Sequence, residues 1–552
     1  MSLKKFLNKH LPPSLLYRIW LWENRLRSKK KNQITQAIVA FQYQPTVSLI
    51  ILSCSPTKEN LERAIGAVIG QIYPKWNLCV ISIGSLPPAA AKMIHDYSAL
   101  YSEIHIICLD ANEAIPAAVN GICSTTSSEF VGCLDEDGML LPQTLFEIVR
   151  SLNQKPDWDL IYTDEDQVKP NGKRHTPFFK PDWSPHLLLS FNYIHCFWIV
   201  RTSLFNQAGG LRLGFEWNHD LLLRITERTH RIGHLPQILY SHGENKGHFN
   251  KGSKKAIENT LERRAIHGTV ENGFEPFGYR VRHALTKMPK VSIIIPTRDR
   301  FSFLRSCIES IEQETTYKDF EIIVVDNNST DPALLRYLRQ SPYRVLKYSD
   351  PFNYARINNF AVAHAVGDVL LFLNNDTHVI SPQWIEAMLE QAQQPDVGGV
   401  GVKLLFPDQT IQHAGVIVGP KRCHHAFYAA VSTIPNCFAQ SVREVSAVTA
   451  ACMMISKSVF HAVCGFDERF KVGFNDIDLC MRIREKGYRI IYTPYAVLYH
   501  YESVTRGKAK VSDDWNRFEE RWDFMMKQGD PFYNLNLSTA RCDFSHVNLW
   551  KK

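Results

Sequence analysis

The chain repeats one ordered set of sequence signals, and this repeat constrains its fold more than any other feature. An apolar strand pattern begins at Val47 (VSLIIL) and recurs at Val291 (VSIIIP). A helical stretch, a second apolar strand and a strand with an acidic end follow in each copy, and each copy closes on a strand with a histidine at its end. Such alternation of strands and helices over about 200 residues defines an α/β domain rather than a solenoid unit. The sequence therefore predicts two tandem α/β domains, each with a mostly parallel central sheet.

The 552 residues divide into five predicted segments. The two copies of the repeat mark the domains, and the stretch between them is rich in Lys, Arg and Glu, which favours a helical connector. We predict a basic amphipathic segment at 1–44, a first domain at 45–245, a helical linker at 246–289, a second domain at 290–507 and a C-terminal extension of helix and loop at 508–552.

The composition favours a folded protein without membrane-spanning helices. Hydrophobic residues make up 45% and charged residues 21% of the chain, which is typical of globular domains. No apolar run reaches the length of about 18 residues that a transmembrane helix needs. The 13 cysteines are scattered without metal-site spacing, and the start of the chain lacks a signal-peptide pattern. We therefore expect a cytoplasmic protein with reduced cysteines.

The net charge of +8 is concentrated near the start of the chain. It permits contact with an anionic surface but does not demand nucleic acid, so we predict no nucleic-acid partner. Basic residues alternate there with Leu, Tyr, Ile and Trp. This mixture suits a helix at the anionic inner face of the cytoplasmic membrane, and it equally suits a helix packed on the protein itself.

One strand of the second copy ends in an acidic tip. The five consecutive apolar residues Val369–Leu373 predict a buried parallel strand, and Asn374, Asn375 and Asp376 follow it. In open α/β sheets ligands bind beyond the carboxyl ends of the strands, so we expect these three side chains at a ligand site. The Asp376 carboxylate can hold a divalent cation that bridges two phosphates. An ordinary polar turn is the alternative for this tripeptide alone.

Two further strand ends of the second copy supply candidate donor-binding groups. A proline after the first strand stops the ladder and turns the backbone outward, where polar groups can meet a flat base. The carboxylate that ends the second strand (VVDNNS) can accept a hydrogen bond from a base or a ribose hydroxyl. The predicted donor-binding residues are Pro296, Thr297, Arg298, Asp299, Asp326, Asn327, Asn328, Asn374 and Asn375.

Asp476 opens a predicted helix (NDIDLCMR), next to the positive end of the helix dipole. Capping is its alternative role. Because Asp476 and Asp478 are two positions apart, one can cap the helix while the other faces a cleft. A carboxylate in a partly desolvated cleft can act as a general base on a sugar hydroxyl, which then attacks an anomeric carbon that carries a metal-bound diphosphate. Direct displacement of this kind inverts the anomeric centre.

Three histidines and one arginine complete the candidate set of the second copy. His500 is either a second metal ligand or a buried histidine bonded to the backbone. His413 and His425, with Asp478, either line the acceptor side or are ordinary surface and core residues. Arg506 suits a diphosphate by its charge and its fork geometry.

Several motifs of the chain resemble those of family 2 glycosyltransferases of the GT-A fold. They include VSIIIPTRDR, EIIVVDNNSTD, PFNYARINNFAVAHAVGDVLLFLNNDT, IQHAGVIVG, SAVTAACMMIS, GFDERFKVGFNDIDLCMR and YTPYAVLYHYESVTRG, with IYTDEDQV, FKPDWSP and GFEWNHDLLLR in the first copy. More narrowly, the chain is similar to bacterial tandem-domain enzymes of surface-polysaccharide assembly, of the O-antigen or rhamnan type.

The resemblance implies two Rossmann-like GT-A domains and a nucleotide-sugar donor. It implies Mn2+ or Mg2+ held at Asp376, with Asp476 as the general base. It also implies an inverting transfer to a growing glycan or lipid-linked glycan acceptor.

The first copy departs from the family pattern at two positions. Ile83–Ser85, the last three residues of ISIGS, stand where such domains carry a strand-end Asp, and Asn218 stands where the second copy has Asp476. An amide cannot take up a proton usefully at neutral pH. We therefore predict that the first domain is impaired or inactive in transfer and that it binds acceptor glycan or serves as a scaffold.

Other polar groups survive in the first copy. Asp135 and Asp137 correspond to the metal carboxylates of the family, and His242 corresponds to His500. His219 is a possible substitute base. The acidic run Asp164–Asp166 either holds donor or metal or is a solvated loop.

Three other functions are alternatives to a glycosyltransferase. A nucleotidyltransferase would need a Gly-rich basic loop after the first strand, and PTRDRFSFL is not one. A dehydrogenase is disfavoured because no GxGxxG follows a strand. A non-catalytic scaffold that binds glycan or nucleotide sugar is the remaining alternative, and the presence of Asp476 beside an intact Asp376 argues against it.

Overall fold

The computed structural model describes residues 12–53, 57–84, 86–214, 216–243, 253–274, 278–419, 422–433, 436–501, 512–539 and 541–544. These residues form two compact units. Unit 1 holds the described residues up to Trp183 and those from Phe191 to Ala265, and unit 2 holds Ser184–Ser190 and the described residues from Ile266 to Phe544. The two copies of the sequence repeat therefore lie one in each unit.

Unit 1 alternates helices and strands as the sequence predicts. Its α-helices are Pro13–Glu23, Ser28–Val39, Lys58–Ile69, Pro88–Leu100, Ile115–Thr125, Thr144–Gln154, Thr202–Gln207, Trp217–Thr226 and Ser253–Arg263, with a 3-10 turn at Asn112–Ala114. Its strands are Val47–Ser53, Trp76–Ile83, Ile104–Leu109, Phe130–Asp135, Met139–Leu140, Leu160–Val168, Arg174–Phe178, Trp198–Arg201 and Ile232–Gly243.

Unit 2 repeats this alternation and adds a C-terminal helix. Its helices are Pro185–Ser190, Phe301–Glu314, Pro332–Gln340, Tyr354–Val362, Trp384–Ala392, Cys437–Gln440, Lys457–Ala462, Asn475–Glu485 and Ser512–Gln528. Its strands are Gly268–Asn272, Tyr279–His283, Val291–Thr297, Phe320–Asp326, Arg344–Lys347, Val369–Leu373, Thr377–Val379, Val397–Leu405, Ile411–His413, Val416–Gly419, Arg422–His425, Arg443–Glu444, Cys452–Ser456 and Arg489–His500.

Local sequence explains where these elements begin. Lys58–Ile69 starts behind Thr57, whose side chain accepts a hydrogen bond from the Asn60 N–H, and Tyr354–Val362 starts behind Asn353, which caps in the same way. In both helices the buried residues recur at helical spacing, so one face packs on the sheet. The central strand Val369–Leu373 is buried at every position, as its apolar run predicts.

The two units have the same sheet order, which confirms the predicted α/β duplication. In unit 2 the order along the sheet begins Arg344–Lys347, Phe320–Asp326, Val291–Thr297, Val369–Leu373, Cys452–Ser456, and these are followed by Val397–Leu405, Arg489–His500 and Thr377–Val379. The first four strands are parallel, and the fifth is antiparallel to both of its neighbours. The parallel sheet predicted from sequence thus forms one half of a mixed sheet. Parallel strand ends meet at the edge where the candidate ligand residues lie.

The strand register also gives the residue equivalences between the units. Phe130 pairs with Arg201 in unit 1, and Val369 pairs with Ser456 in unit 2. Counting from these pairs, Asp137 corresponds to Asp376. Arg201 and Ser456 are equivalent in the same way, so His195 and Cys196, which lie six and five residues earlier, correspond to Ala450 and Ala451 of unit 2.

The segment between the domains contains a helix and a β-hairpin. The helix Ser253–Arg263 agrees with the predicted helical linker, whereas Gly268–Asn272 and Tyr279–His283 form an antiparallel pair that the sequence analysis missed. Val270 and Val281 face each other across this pair and are both buried. Two isolated apolar residues in charged sequence were too weak a signal to predict these strands.

The helix Pro13–Glu23 packs on unit 1 through one face. Leu16, Tyr17 and Trp20 are buried, and Tyr17 donates a hydrogen bond to the Asp166 carboxylate. The opposite face leaves Leu15 and Trp22 exposed. Among the helices that the structure describes, none combines the length and apolar character needed to cross a bilayer.

Candidate active site

A cavity of about 440 Å3 opens at the carboxyl ends of the parallel strands of unit 2. This volume lies within the range of small-molecule sites. It is lined by eight of the residues predicted from sequence: Pro296, Thr297, Arg298, Asp299, Asn327, Asn374, Asn375 and Asp376. The strand ends therefore converge as predicted. The remaining wall is formed by Arg300, Phe352, Tyr354, Ile357 and Val472, none of which is among the residues predicted from sequence.

Hydrogen bonds hold the polar floor of this cavity in place. Asn375 Nδ2 donates to Thr297 Oγ1 at 2.9 Å, which joins two neighbouring strand ends. Asn327 Nδ2 donates to the carbonyls of Tyr348 and Asp350 at 3.1 and 2.9 Å. These asparagines are therefore oriented by the fold.

Three predicted donor-binding residues shape the loops beside the cavity. The Asp299 carboxylate accepts hydrogen bonds from the backbone N–H groups of Thr330 and Asp331, and these bonds hold its pKa below the usual value. Asp326 accepts from the Ser329 N–H, and Asn328 donates to the Ser349 carbonyl. Neither Asp326 nor Asn328 lines the cavity.

Asp376 and His500 meet beside the cavity. Asp376 Oδ1 lies 3.2 Å from His500 Nε2, and both residues are buried. Thr377 pairs with His500 across two antiparallel strands, so the backbone fixes the spacing of the two side chains. The structure thus brings the predicted metal ligands together.

Gln412, which the sequence analysis overlooked, sets the orientation of His500. Gln412 Nε2 donates to the His500 carbonyl at 3.1 Å, so Gln412 Oε1 faces His500 Nδ1, 2.5 Å away. Nδ1 therefore carries the proton, and Nε2 keeps its lone pair toward Asp376 and the Asn374 amide. A ligating histidine commonly donates its other N–H in this way. The motif IQHAGV had drawn attention to His413 instead of its neighbour.

The pair Asp376 and His500 fits a divalent cation. It offers a carboxylate oxygen and an imidazole nitrogen 3.2 Å apart, and Asp376 lines the cavity. Carboxylates suit Mg2+ and Mn2+, and imidazole suits transition ions.

Asp476 and Asp478 have different surroundings. Asp478 is fully buried and accepts hydrogen bonds from Arg482 Nε at 2.8 Å and Trp522 Nε1 at 3.0 Å. Asp476 is half-buried, and its carboxylate accepts from the N–H groups of Ala450 and Ile477 at 3.1 and 2.9 Å. Asp478 thus belongs to the packing of its helix, and Asp476 is the carboxylate with access to a ligand.

The adjacent residues Ala450 and Ala451 link Asp476 to the acidic strand tip Asn374–Asp376. The Ala450 N–H bonds the Asp476 carboxylate, and the Ala451 carbonyl accepts from the Asn374 N–H at 3.0 Å. Asp476 does not line the 440 Å3 cavity, but Val472, just ahead of its helix, does. The predicted base and the strand tip are therefore fixed to adjacent residues.

His413 and His425 form a close pair away from the cavity wall. Their Nδ1 atoms lie 2.7 Å apart, so the two rings share one proton. Burial, with His425, Arg443 and His500 nearby, holds the pKa of His413 well below its usual value. Neither histidine lines the cavity. Arg506 lies outside the described residues.

Unit 1 differs from unit 2 at the position of the base. Asp220 and Arg224 form the same buried ion pair as Asp478 and Arg482, which confirms that Asn218 stands at the position of Asp476.

Both polar atoms of the Asn218 side chain are hydrogen-bonded within unit 1. Its Oδ1 accepts from Trp198 Nε1 at 2.7 Å, and its Nδ2 donates to the His195 carbonyl at 2.5 Å. The buried amide therefore supports the fold of unit 1.

The predicted polar counterparts of the metal ligands lie near each other in unit 1. A methyl group on Gly243 would come within 2.2 Å of Asp137 Oδ2, which places that carboxylate beside the strand end that carries His242. Asp135 ends the strand Phe130–Asp135 and is half-buried. His242, however, also approaches Glu165, His195 and Cys196, which the sequence analysis did not combine.

Comparison with known proteins places the chain in a family. Residues 48–209 and 292–461 match the model of glycosyl transferase family 2, one match in each copy of the repeat. The chain belongs to glycosyl transferase family 2, which confirms the resemblance seen in its motifs.

Two relatives extend over nearly the whole chain. The O-antigen biosynthesis protein RfbC of Myxococcus xanthus is 35% identical over 558 residues, which cover 96% of this chain and 43% of the relative. The uncharacterized protein y4gI of Sinorhizobium fredii (strain NBRC 101917 / NGR234) is 35% identical over 548 residues, which cover 94% of this chain and 60% of the relative. The chain thus spans about half the length of these relatives.

Among solved structures, GalNAc-T7 with UDP, GalNAc and Mn2+ resembles 43% of this chain and 50% of its own, with a TM-score of 0.36 and 13% identity.

Proposed function

We propose that unit 2 is an inverting glycosyltransferase that moves a sugar from a nucleotide-diphosphate sugar to a growing cell-surface glycan. Membership of glycosyl transferase family 2 supports the reaction class. The cavity at the strand ends supports a donor site of the required size. The second domain, 290–507, is then the catalytic one.

A single observation supports this proposal: the strand tip that carries Asp376 and the half-buried Asp476 are hydrogen-bonded to two adjacent residues, Ala451 and Ala450. Asp376 and His500 face each other at 3.2 Å at the cavity edge. Asp476 is held by Ala450, whose neighbour Ala451 binds the strand tip. A sugar between them would have the leaving diphosphate on one side and the base on the other.

In this mechanism Asp376 and His500 would hold a divalent ion, and Gln412 fixes the proton of His500 on Nδ1. When bound, the ion offsets the negative charge on the departing diphosphate. The mixed oxygen and nitrogen ligands favour Mn2+ over Mg2+, which prefers oxygen.

Asp476 takes the proton of the acceptor hydroxyl as that oxygen attacks the anomeric carbon. Its half-buried position at a helix start leaves an oxygen accessible while two N–H groups fix its direction. Attack from the face opposite the diphosphate inverts the anomeric centre. Arg298, Asn327 and Asn375 orient the donor from the cavity wall, with Arg506 as a further diphosphate partner.

Unit 1 does not transfer sugar in this proposal. Asn218 cannot accept a proton, and its amide is engaged by Trp198 and His195. The first domain, 45–245, instead binds acceptor glycan or serves as a scaffold. The name of the Myxococcus xanthus relative, an O-antigen biosynthesis protein, supports a surface glycan or lipid-linked glycan as the acceptor.

A cytoplasmic location at the inner membrane face accords with the first helix. Leu15, Arg18, Trp22 and Arg25 are exposed at helical spacing, and the Arg25 guanidinium lies 4.9 Å from the Trp22 ring. An exposed aromatic between basic residues suits an anionic lipid surface. Sedimentation with anionic vesicles, but not with neutral ones, should depend on Trp22, and equal binding of a Trp22→Ser variant would refute this contact.

The proposal is tested by a hydrolysis screen of nucleotide sugars in the presence of Mn2+. Wild-type protein should release nucleoside diphosphate from one donor class, and Asp376→Asn should not. An Asp476→Asn variant should lose transfer to acceptor while it keeps nucleotide binding. Binding of nucleotide sugar without turnover in any assay would favour the non-catalytic scaffold.

A further inference from the structure

Unit 1 gathers four metal-ligating side chains: Glu165 and His242, which the sequence placed in a degenerate donor or metal site, and His195 and Cys196, which it did not. One ligand atom from each of Glu165, His195, Cys196 and His242 lies within 4.8 Å of the others, and all four residues are buried. We propose that these residues form a structural site for a thiophilic transition ion of the Zn2+ class. The inference is independent of whether unit 2 transfers sugar.

Three neighbouring strands bring the four residues together. Glu165 lies on Leu160–Val168, and His242 lies on Ile232–Gly243, which runs parallel beside it. His195 and Cys196 directly precede Trp198–Arg201, which pairs with Leu160–Val168 on its other side. An ion at this point would link three strands of one sheet.

His195 Nδ1 has more close polar neighbours than one ring nitrogen can fully hydrogen-bond. His195 Nδ1 lies 2.5 Å from Glu165 Oε1 and 2.9 Å from Cys196 Sγ. A ring nitrogen has one proton or one lone pair, so it can form a full hydrogen bond to one of these atoms. A cation at their centre would give each of the three atoms a ligand role.

The other two participants are oriented as ligands. His242 Nδ1 lies 2.9 Å from the Gly243 carbonyl, so Nδ1 carries the proton and Nε2 faces Glu165 Oε1 at 3.8 Å. Lys180 Nζ holds Glu165 Oε2 at 2.9 Å, which turns Oε1 toward the cluster. Both contacts match the outer partners that fix metal ligands in known sites.

The ligand chemistry selects the ion. A thiolate, two imidazoles and a carboxylate form a four-ligand set with two negative charges, which suits tetrahedral Zn2+ and disfavours Mg2+ and Ca2+. With four buried protein ligands, the site would have no open position for substrate, so its role would be structural.

The site lies where unit 2 has its reaction space. His195 and Cys196 stand at the positions of Ala450, whose N–H binds Asp476, and Ala451, whose carbonyl binds the Asn374 N–H. In unit 1 larger side chains fill this place. With an ion bound, this position of unit 1 would hold a cross-link of the sheet, whereas the proposed function of unit 2 places the sugar there.

The test measures zinc in the full chain, purified without a histidine tag from zinc-supplemented cells. Wild-type protein should contain about one equivalent of zinc, as a four-ligand structural site requires. Cys196→Ser should lose it. Two matched controls should keep it: Cys133→Ser, a buried cysteine elsewhere in unit 1, and Asp376→Asn in unit 2. Zinc retained by Cys196→Ser, or absent from folded wild-type protein, overturns the proposal.

A second measurement tests the site even if the Cys196→Ser variant fails to fold. Wild-type protein loaded with Co2+ should show a thiolate-to-cobalt absorption band, and a strong chelator should lower its thermal midpoint by several degrees. A Co2+-loaded protein without the band, or a midpoint unchanged by the chelator, contradicts the site. Retention of both effects in Asp376→Asn separates this site from the donor site.

Discussion

His500 Nε2 lies 3.2 Å from Asp376 Oδ1, and a backbone pair between Thr377 and His500 sets this distance. The strand tip alone offers one carboxylate at the cavity edge. The closing strand of the domain supplies the second ligand, and Gln412 supplies its orientation. The proposed cation site would therefore be assembled from three segments that are distant in sequence.

Replacement of the Asp376 carboxylate should abolish the effect of Mn2+ on the affinity for nucleotide. In wild-type protein we expect Mn2+ to tighten the binding of nucleoside diphosphate at least about tenfold, or about 1.4 kcal/mol. In Asp376→Asn this gain should vanish because the ion loses its oxygen ligand. Calorimetric titration with and without Mn2+ measures both values. Asp368→Asn, at the exposed opposite end of the same strand, should behave as wild type. A full metal response in Asp376→Asn would refute the site.

Gln412 should act on the ion through His500. Gln412→Leu frees the His500 ring to change tautomer or rotate, so we expect about 10- to 100-fold weaker Mn2+ binding. Nucleotide binding without metal should stay unchanged. Gln412→Glu keeps an acceptor for His500 Nδ1 and should recover part of the loss. Mn2+ titration by electron paramagnetic resonance gives the affinities, and equal affinities in Gln412→Leu and wild type would exclude this positioning role.

Substitutions of Asp476 and Asp478, two carboxylates of one helix, should affect catalysis and stability separately. Asp476→Asn should lower the rate of transfer by at least about 100-fold, since general-base catalysis contributes that much, with little change in stability. Asp478→Asn should cost about 3 kcal/mol of unfolding free energy because it breaks a buried pair with Arg482. Urea unfolding and initial rates measure both effects. The reverse pattern, with Asp476→Asn unstable, would make Asp476 a structural residue.

The duplication and the ligand edge of the sheet could be predicted because they depend on local patterns. The apolar run Val369–Leu373 specifies a buried strand, and the rule for parallel strand ends places Asp376 at a ligand site. Eight predicted residues accordingly line one cavity.

The sequence could not reveal residues whose role depends on pairing between distant strands. Gln412 is important because its amide bridges the backbone and ring of His500, and nothing in IQHAGV indicates that partner. Glu165 and His195 meet only because two strands pair beside each other. Asp478 is the opposite case: it was predicted either on the acceptor side or as a core residue, and Trp522 of the last helix donates a hydrogen bond to its buried carboxylate.

Restoring a carboxylate in unit 1 should not restore activity. Asn218→Asp removes the donor to the His195 carbonyl and buries a negative charge against that oxygen. We expect a loss of about 2 kcal/mol or more in stability and no gain in transfer. The variant is best made in the Asp476→Asn background, where any activity must come from unit 1. Recovered transfer in the double variant would show that unit 1 keeps a working site.

His234 should make unit 1 more stable at low than at high pH. Burial alone lowers the pKa of this histidine, but Asp164 and Asp182, which face its two ring nitrogens at 2.9 and 2.8 Å, raise it to about 9. Because this pKa exceeds the unfolded value of about 6.5, folding gains about 2 kcal/mol or more below that pH, and the gain disappears as pH rises toward 9.

The variant His234→Gln should therefore lower the urea midpoint strongly at about pH 6 and weakly at about pH 9.5, since at high pH the wild-type ring has already lost its charge. Tyr162 stacks on the ring at 4.8 Å and carries no charge in this range, so the two carboxylates account for the effect. The exposed His230 provides the control, and His230→Gln should leave the midpoint unchanged at both pH values. An equal loss in His234→Gln at both pH values would mean that the ring contributes through packing instead of charge.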